Sequence, residues 1–240
     1  MNYHGKEFKM KIRNLIFILS AAILLATNTN AQKLNVGVVG GLNLANVSSD
    51  FQDMKTKSMT AFGFGGVIDW KLNKNLALYV QPMYLQKGAK LDAAADEEDM
   101  DFFGEDVEFK FKYAYIEIPI FLKYTLGSAK TKPYIMAGPT LGILSSAKMS
   151  MEIIDIASFD IDMKDASETL DYGIGFGGGF SIPVKRYSLF IEGRYTLGLA
   201  DIFKGTTEEM EDEDDLVLED ASVKHKGFQI MAGFCMPLGE

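Results

Sequence analysis

The chain has 240 residues, of which 24 are lysine or arginine and 33 are aspartate or glutamate, for a formal net charge of −9 at pH 7. Because nucleic-acid binding needs a basic surface, this acidic balance argues against DNA or RNA as a partner. The single cysteine, Cys235, excludes an intramolecular disulfide, so packing and hydrogen bonds must hold the fold together.

The N-terminal part combines a basic segment with a short apolar one, which is typical of an export signal. The apolar run covers residues 15–26 and is too short to span a bilayer. Small residues follow at Thr29 and Ala31, the −3 and −1 positions of a signal-peptidase site. The basic residues before the run are Lys6, Lys9, Lys11 and Arg13. We therefore predict a signal peptide over residues 1–31 and a single domain over residues 32–240.

Removal of residues 1–31 takes away four basic residues and Glu7, which leaves 20 basic against 32 acidic residues and a formal charge of −12. The mature part contains no apolar stretch near the roughly 18 residues of a transmembrane helix. Its apolar residues instead recur with a period of two, which predicts strands. The eight predicted strands cover residues 34–46, 58–72, 76–90, 108–125, 132–147, 169–183, 187–201 and 223–238.

The predicted strands have one apolar face and one face that is polar or rich in glycine, most clearly in segment 169–183. Its apolar face consists of Leu170, Tyr172, Ile174, Phe176, Phe180 and Ile182, and its other face of Asp171, Ser181 and four glycines. In a soluble sandwich the apolar face would form the core. In a membrane barrel it would face lipid, and the polar side would face the interior.

The connections distinguish these two arrangements because their lengths alternate along the chain. Short turns at residues 73–75, 126–131 and 184–186 alternate with polar stretches of about eleven to twenty-one residues. Such an order is typical of an up-and-down barrel with short periplasmic turns and longer external loops. We therefore predict an all-β, eight-stranded antiparallel transmembrane barrel in the outer membrane. A soluble periplasmic barrel with its faces inverted is the alternative.

Several charged residues lie on the face that is predicted to point inward, where a barrel of eight strands leaves little room for water. They are Asp69, Lys71, Glu117, Lys123, Glu192 and Arg194. We expect them to form an interior network of structural charge pairs. An acid–base role for Glu117, Glu192 or His225 is the alternative, but no nucleophile and base are set together in the sequence. We therefore expect no enzymatic activity, no cofactor and no metal in the barrel.

Two acidic stretches fall on predicted external loops. Residues 92–106 contain eight acids and residues 208–220 contain nine. Blocks of like charge repel one another and are typical of solvated loops. The alternative is that their carboxylates bind divalent cations and bridge the protein to lipopolysaccharide.

Short motifs occur along the whole mature chain, at residues 37–43 (GVVGGLN), 78–88 (LYVQPMYLQKG), 115–119 (YIEIP), 123–124 (KY), 133–134 (PY), 137–139 (AGP), 171–173 (DYG), 177–179 (GGG) and 192–195 (EGRY). In their order and spacing they resemble the PorT-like outer-membrane β-barrel proteins of Bacteroidetes. This resemblance implies an eight-stranded outer-membrane barrel, similar in build to the OmpA transmembrane domain, without an assigned substrate. The C-terminal residues Pro237, Leu238, Gly239 and Glu240 differ from the terminal aromatic residue of proteobacterial barrels.

We expect a structural or interaction role for this barrel, in envelope tethering or in secretion, rather than a general pore. A narrow channel for small solutes and a lipid-modifying enzyme remain alternatives. The expected partners are outer-membrane lipid, lipopolysaccharide and envelope or secretion proteins. We expect the chain to act as a monomer.

Overall fold

Strands make up nearly all of the chain that the structure describes. The computed structural model describes residues 34–49, 56–91, 107–127, 130–153, 157–203 and 222–238. The predicted signal peptide and both acidic stretches lie outside these residues and stay predictions. No helix in the described part is long and apolar enough to cross a membrane.

Eleven strands are present in the described residues, because some predicted strands are divided or extended. They are β1 (Leu34–Ser49), β2 (Thr56–Lys57), β3 (Met59–Lys71), β4 (Leu76–Val80), β5 (Met83–Leu91), β6 (Val107–Thr125), β7 (Lys132–Ile153), β8 (Ala157–Asp162), β9 (Leu170–Val184), β10 (Tyr187–Asp201) and β11 (Val223–Pro237).

The strands form one closed antiparallel ring. Strand β1 pairs with β3 on one side and with β11 on the other, and the ring continues from β11 through β10, β9, β7 and β6 to β4 and β5. The short strands β2 and β8 pair with β5 and β7 at the long-loop end. Since β4 and β5 are two parts of one strand, the ring has eight members. The predicted eight-stranded antiparallel barrel is confirmed.

Pro82 divides the third strand of the ring into β4 and β5 without changing its register. The partners of β3 run from Ile68 opposite Val80 to Gly65 opposite Met83, which is one continuous ladder. Proline has no N–H to donate, but its carbonyl oxygen still accepts a 2.9 Å hydrogen bond from the Gly66 N–H. The ring therefore stays closed at this point.

Side chains alternate between the outside and the inside of the ring. In β9, Phe176 and Phe180 are about half exposed, whereas Asp171 between Leu170 and Tyr172 is buried. Exposed large apolar side chains occur on seven of the eight strands of the ring, and the outward apolar side chains of β4 and β5 are half-buried. Together they form an outer apolar band. A band of this kind is expected where a barrel contacts the hydrocarbon of a membrane.

The hairpins at the two ends of the barrel differ in length. Short connections join β3 to β4, β6 to β7 and β9 to β10, as the sequence predicts. At the other end β7 continues six residues beyond its predicted end at residue 147, and β8 pairs back onto it. Part of the predicted external loop over residues 148–168 is therefore a hairpin that extends the barrel.

Candidate functional site

The barrel interior contains the polar and charged side chains and is the candidate site. They form three groups along the barrel axis, which we name from the short-turn end to the long-loop end. The lower cluster consists of Asp69, Lys123, Tyr79 and Tyr134. The central network consists of Glu192, Arg194, Gln81 and Gln229. The upper cluster consists of Lys87, Glu117, Asp171, Tyr115 and His225.

The lower cluster is a buried ion pair between two aromatic rings. The Lys123 ammonium contacts the Asp69 Oδ2 atom. It also lies 4.1 Å from the centroid of the Tyr79 ring and 4.8 Å from that of the Tyr134 ring. The attraction of a cation to aromatic faces is greatest where water is excluded, so both rings help to hold the lysine inside.

In the central network, the Glu192 carboxylate accepts hydrogen bonds from three neutral groups. The Oε2 atom accepts them from the Tyr134 hydroxyl at 2.7 Å and the Tyr79 hydroxyl at 3.2 Å. The Oε1 atom accepts one from the Gln81 Nε2 at 2.9 Å. A buried carboxylate is costly unless its oxygens are hydrogen-bonded, and these donors meet that requirement.

The Arg194 guanidinium is the largest fully buried group of the central network. Its Nη1 lies 3.7 Å from the Glu192 Oε1 and donates to the Gln81 Oε1. Its Nε donates to the Gln229 Oε1 at 2.5 Å, and its Nη2 donates to the Met83 Sδ at 3.0 Å. The guanidinium thus connects side chains from three different strands across the lumen.

Glycines of β9 provide the space that these large side chains occupy. A Cβ atom at Gly177 would lie 2.7 Å from the Arg194 Cβ. A Cβ atom at Gly179 would lie 2.8 Å from both the Glu192 Cβ and the Tyr134 Cζ. Side chains on the inner face of β9 would therefore compete with the central network for the same volume.

The upper cluster has one cation between two carboxylates. The Lys87 ammonium donates to the Asp171 Oδ2 at 2.8 Å and contacts the Glu117 Oε2. Beside it, the Tyr115 hydroxyl lies 3.1 Å from the His225 Nε2, within hydrogen-bonding distance. The described strands β5, β6, β9 and β11 are joined through these side chains.

The structure places the six predicted charged residues in different surroundings. Asp69 pairs with Lys123 in the lower cluster, and Glu192 approaches Arg194 in the central network. Glu117 pairs with Lys87, which the sequence analysis had not selected. The prediction for Lys71 is wrong, because this residue is exposed at the last position of β3. The strand reaches the rim there, so Lys71 is exposed and does not join the buried charge pairs.

Two partners were missed although the sequence contained a signal for each. Lys87 follows Met83 and Leu85 at even spacing, which places it on the inner face of β5. Asp171 belongs to the glycine-rich inner face of β9, but it was not counted among the charged residues. Neither position could be paired with Glu117 by spacing alone, since the contact crosses the lumen.

The described residues include no group of three or more histidine, cysteine, aspartate or glutamate side chains that could hold a metal ion. The thiol of Cys235 is buried near the lower cluster. His225 is buried against the Tyr113 ring, 5.1 Å between centroids, as well as beside Tyr115. In this arrangement the interior side chains hold one another in place across the lumen.

Comparison with known proteins gives a family for the chain. A sequence profile described as "Outer membrane protein beta-barrel domain" matches residues 30–204. No curated protein matches the chain in sequence. Among solved structures, Neisserial surface protein A is 14% identical with a TM-score of 0.45, and 85% of this chain covers 97% of that one.

Two further solved structures have lower TM-scores. Ail, the attachment invasion locus protein of Yersinia pestis, is 14% identical with a TM-score of 0.40, and 85% of this chain covers 99% of that one. The N-terminal β-barrel domain of Pseudomonas aeruginosa OprF is 10% identical with a TM-score of 0.33, and 85% of this chain covers 98% of that one.

Proposed function

We propose a structural and interaction role for this chain, which belongs to the outer-membrane protein β-barrel domain family and resides in the outer membrane. In this role it is not a general pore. In this proposal the barrel is a monomer and catalyses no reaction. The motifs given above favour its placement in the PorT-like group of the family. No activity of any relative is transferred with that placement.

The filled lumen is the observation that carries the proposal. Arg194 and Glu192 are at most 2% exposed, and Phe121 and Gln81 beside them are fully buried. These side chains come from three strands of the ring and contact one another at the barrel axis. A continuous water path would require several of them to leave their hydrogen-bonded positions at once, at a large cost in free energy.

We expect planar-bilayer recordings of the purified barrel to show no openings, because the central network blocks the axis. A general porin prepared in the same detergent is the positive control. The Arg194→Ala, Phe121→Ala double variant removes two blocking side chains and should allow openings if it folds, as checked by heat-dependent gel mobility. Steady openings of the unmodified barrel would contradict the proposal and favour the narrow channel.

Lysines at the long-loop end favour a contact with anionic headgroups of the outer leaflet. They lie on the outer face of the barrel, where strand register places Lys90 opposite both Lys57 and Lys110, and Lys112 opposite Lys148. Lys148 also forms an ion pair with Asp160 of β8 at 3.3 Å. The apolar pair Tyr84 and Ile116 lies on the same face of β5 and β6 toward the membrane centre. Since lipopolysaccharide carries phosphates at the surface of the outer leaflet, lysines beyond the apolar side chains support lipopolysaccharide as a partner.

We expect the Lys112→Ala, Lys148→Ala double variant to bind lipopolysaccharide about tenfold to thirtyfold more weakly, since each lysine near an anionic surface contributes about 1 kcal/mol. Native mass spectrometry at several lipopolysaccharide concentrations measures this change. The matched control is Lys130→Ala, Lys185→Ala at the short-turn end, which removes the same charge and should leave binding unchanged. Equal losses in both variants would mean that the contact is not localised to the long-loop end.

A further inference from the structure

The periplasmic end of the barrel contains a pocket that the role proposed above does not use. Its volume is about 330 Å³, and it opens between the short turns. This volume is at the lower end of the range for small-ligand sites. Residues of β3, β4, β6, β7, β9, β10 and β11 line it, so its shape is fixed by the ring of strands rather than by one loop.

The pocket ends blindly inside the barrel. Tyr79, Tyr134 and Phe190 form its inner end and are at most 8% exposed. The hydroxyl groups of Tyr79 and Tyr134 donate to Glu192, the first residue of the central network behind them. A molecule that enters from the periplasm would therefore be held there and would not pass through.

Positive charge dominates the pocket although the chain as a whole is acidic. Four lysines line it, against one carboxylate, Asp69. Lys123 is paired with that carboxylate, so Lys71, Lys74 and Lys132 at the rim remain in excess. The described residues of the three short turns include no acid that could neutralise them. The pocket therefore favours an anionic ligand.

The neutral lining suits a peptide. Side chains with amide or hydroxyl groups line it together with the lysines; they are Asn35, Asn73, Asn75, Thr125, Ser181 and Ser188. Some are fixed by local hydrogen bonds: the Asn75 Nδ2 donates to the Thr125 carbonyl at 3.0 Å, and the Ser181 and Ser188 hydroxyls lie 2.7 Å apart. Deeper in, the buried Oδ1 of Asp69 has no hydrogen-bond partner among the described residues and is an acceptor that a peptide N–H could satisfy.

The position of the pocket argues against a membrane lipid as its occupant. It lies on the barrel axis and is surrounded by strand ends, whereas the inner leaflet contacts the outside of the barrel. A lipid headgroup could enter only if its acyl chains left the bilayer, which would expose them to water at about 0.8 kcal/mol for each CH₂ group. A ligand dissolved in the periplasm has no such cost.

We propose that this pocket binds a carboxylate-bearing segment of a periplasmic peptide. The carboxylate lies among Lys71, Lys74 and Lys132, and the peptide amides face the asparagine and serine side chains. The site anchors the barrel to a periplasmic partner on the side opposite its external loops. This inference is independent of the role of the long-loop end.

Titration calorimetry of the full mature barrel in a zwitterionic detergent tests the proposal. The probe is the tetrapeptide Gly-Ser-Gly-Glu with a free carboxyl terminus, and the uncharged probe is Gly-Ser-Gly-Gln with a C-terminal amide. We expect saturable 1:1 binding of the acidic peptide that weakens with salt, and at least about tenfold weaker binding of the uncharged one.

The triple variant Lys71→Gln, Lys74→Gln, Lys132→Gln should lose at least about tenfold in affinity, because it removes the excess charge of the rim. The matched control, Lys164→Gln, Lys224→Gln, Lys226→Gln, makes the same charge change toward the opposite end and should bind the peptide as the unmodified barrel does. Heat-dependent gel mobility verifies that both variants are folded.

Three outcomes would overturn the proposal. The first is no saturable binding of the acidic peptide to the folded barrel. The second is an equal loss of affinity in both triple variants, which would indicate general charge attraction. The third is displacement of the peptide by inorganic phosphate that binds at least as tightly. This result would assign the pocket to small anions instead.

Discussion

Replacement of Arg194 by methionine should lower the free energy of unfolding by about 3–5 kcal/mol, since it leaves the Glu192 carboxylate buried without its cation. The acceptor groups of Gln81 and Gln229 would lose their donor at the same time. Methionine has a similar length and no charge, so the change is mainly electrostatic. Urea unfolding in phospholipid vesicles measures it, with fluorescence of Trp70, the single tryptophan, as the signal.

The control for this prediction removes both charges of the central network. In the Glu192→Gln, Arg194→Met double variant, no unpaired buried charge remains, and the glutamine can still accept from the Tyr79 and Tyr134 hydroxyls. We expect this variant to be more stable than Arg194→Met alone, because neutral replacement of a buried pair is tolerated better than loss of one partner. A cost below about 1 kcal/mol for Arg194→Met would show that water reaches Glu192.

Replacement of Ile191 by arginine should lower the free energy of unfolding by about 2–4 kcal/mol, because it puts a charge on the lipid-facing surface near the middle of the hydrocarbon. Ile191 is 55% exposed on the outer face of β10 and is paired with Ala232 of β11 and Phe180 of β9. All three positions lie away from the strand ends. The same vesicle unfolding assay measures the loss.

The matched control is Leu199→Arg on the same strand and the same face. Leu199 is 49% exposed, close to the value for Ile191, but it lies two residues from the end of β10 at Asp201. Near the interface the expected cost is only about 0–1 kcal/mol. Equal costs at the two positions would mean that the outer face has no dependence on membrane depth, and the assignment of the apolar band to lipid would be wrong.

The eight-stranded ring could be predicted from the sequence, because the patterns that indicate it are local along the chain. Along most of β9 and β10, apolar residues alternate with polar residues or glycine, so the two faces can be assigned without knowledge of any partner strand. The alternation of short and long connections then determines which strands neighbour one another. Eight strands with one apolar face each leave a closed barrel as the arrangement that exposes no strand edge to hydrocarbon.

The contacts inside the lumen could not be predicted in the same way. Alternation tells which face Lys87 occupies but not its height along the axis, and that height depends on the stagger of the closed ring. Lys87 meets Asp171, which is 84 residues later in the chain. Lys71 shows the opposite error: its face was assigned by alternation, but it lies at the rim, where the inner face opens to water.

Pairing of β1 with β11 has a consequence for how this protein must be made. The two strands are matched from Asn35 opposite Pro237 to Ser49 opposite Val223, so the first strand to leave the ribosome waits for the last one to complete its hydrogen bonds. A nascent or truncated chain that ends before residue 223 would have two open backbone edges, neither of which hydrocarbon can solvate. The ring is therefore complete only when its last strand has paired, and until then the apolar strands are prone to aggregation.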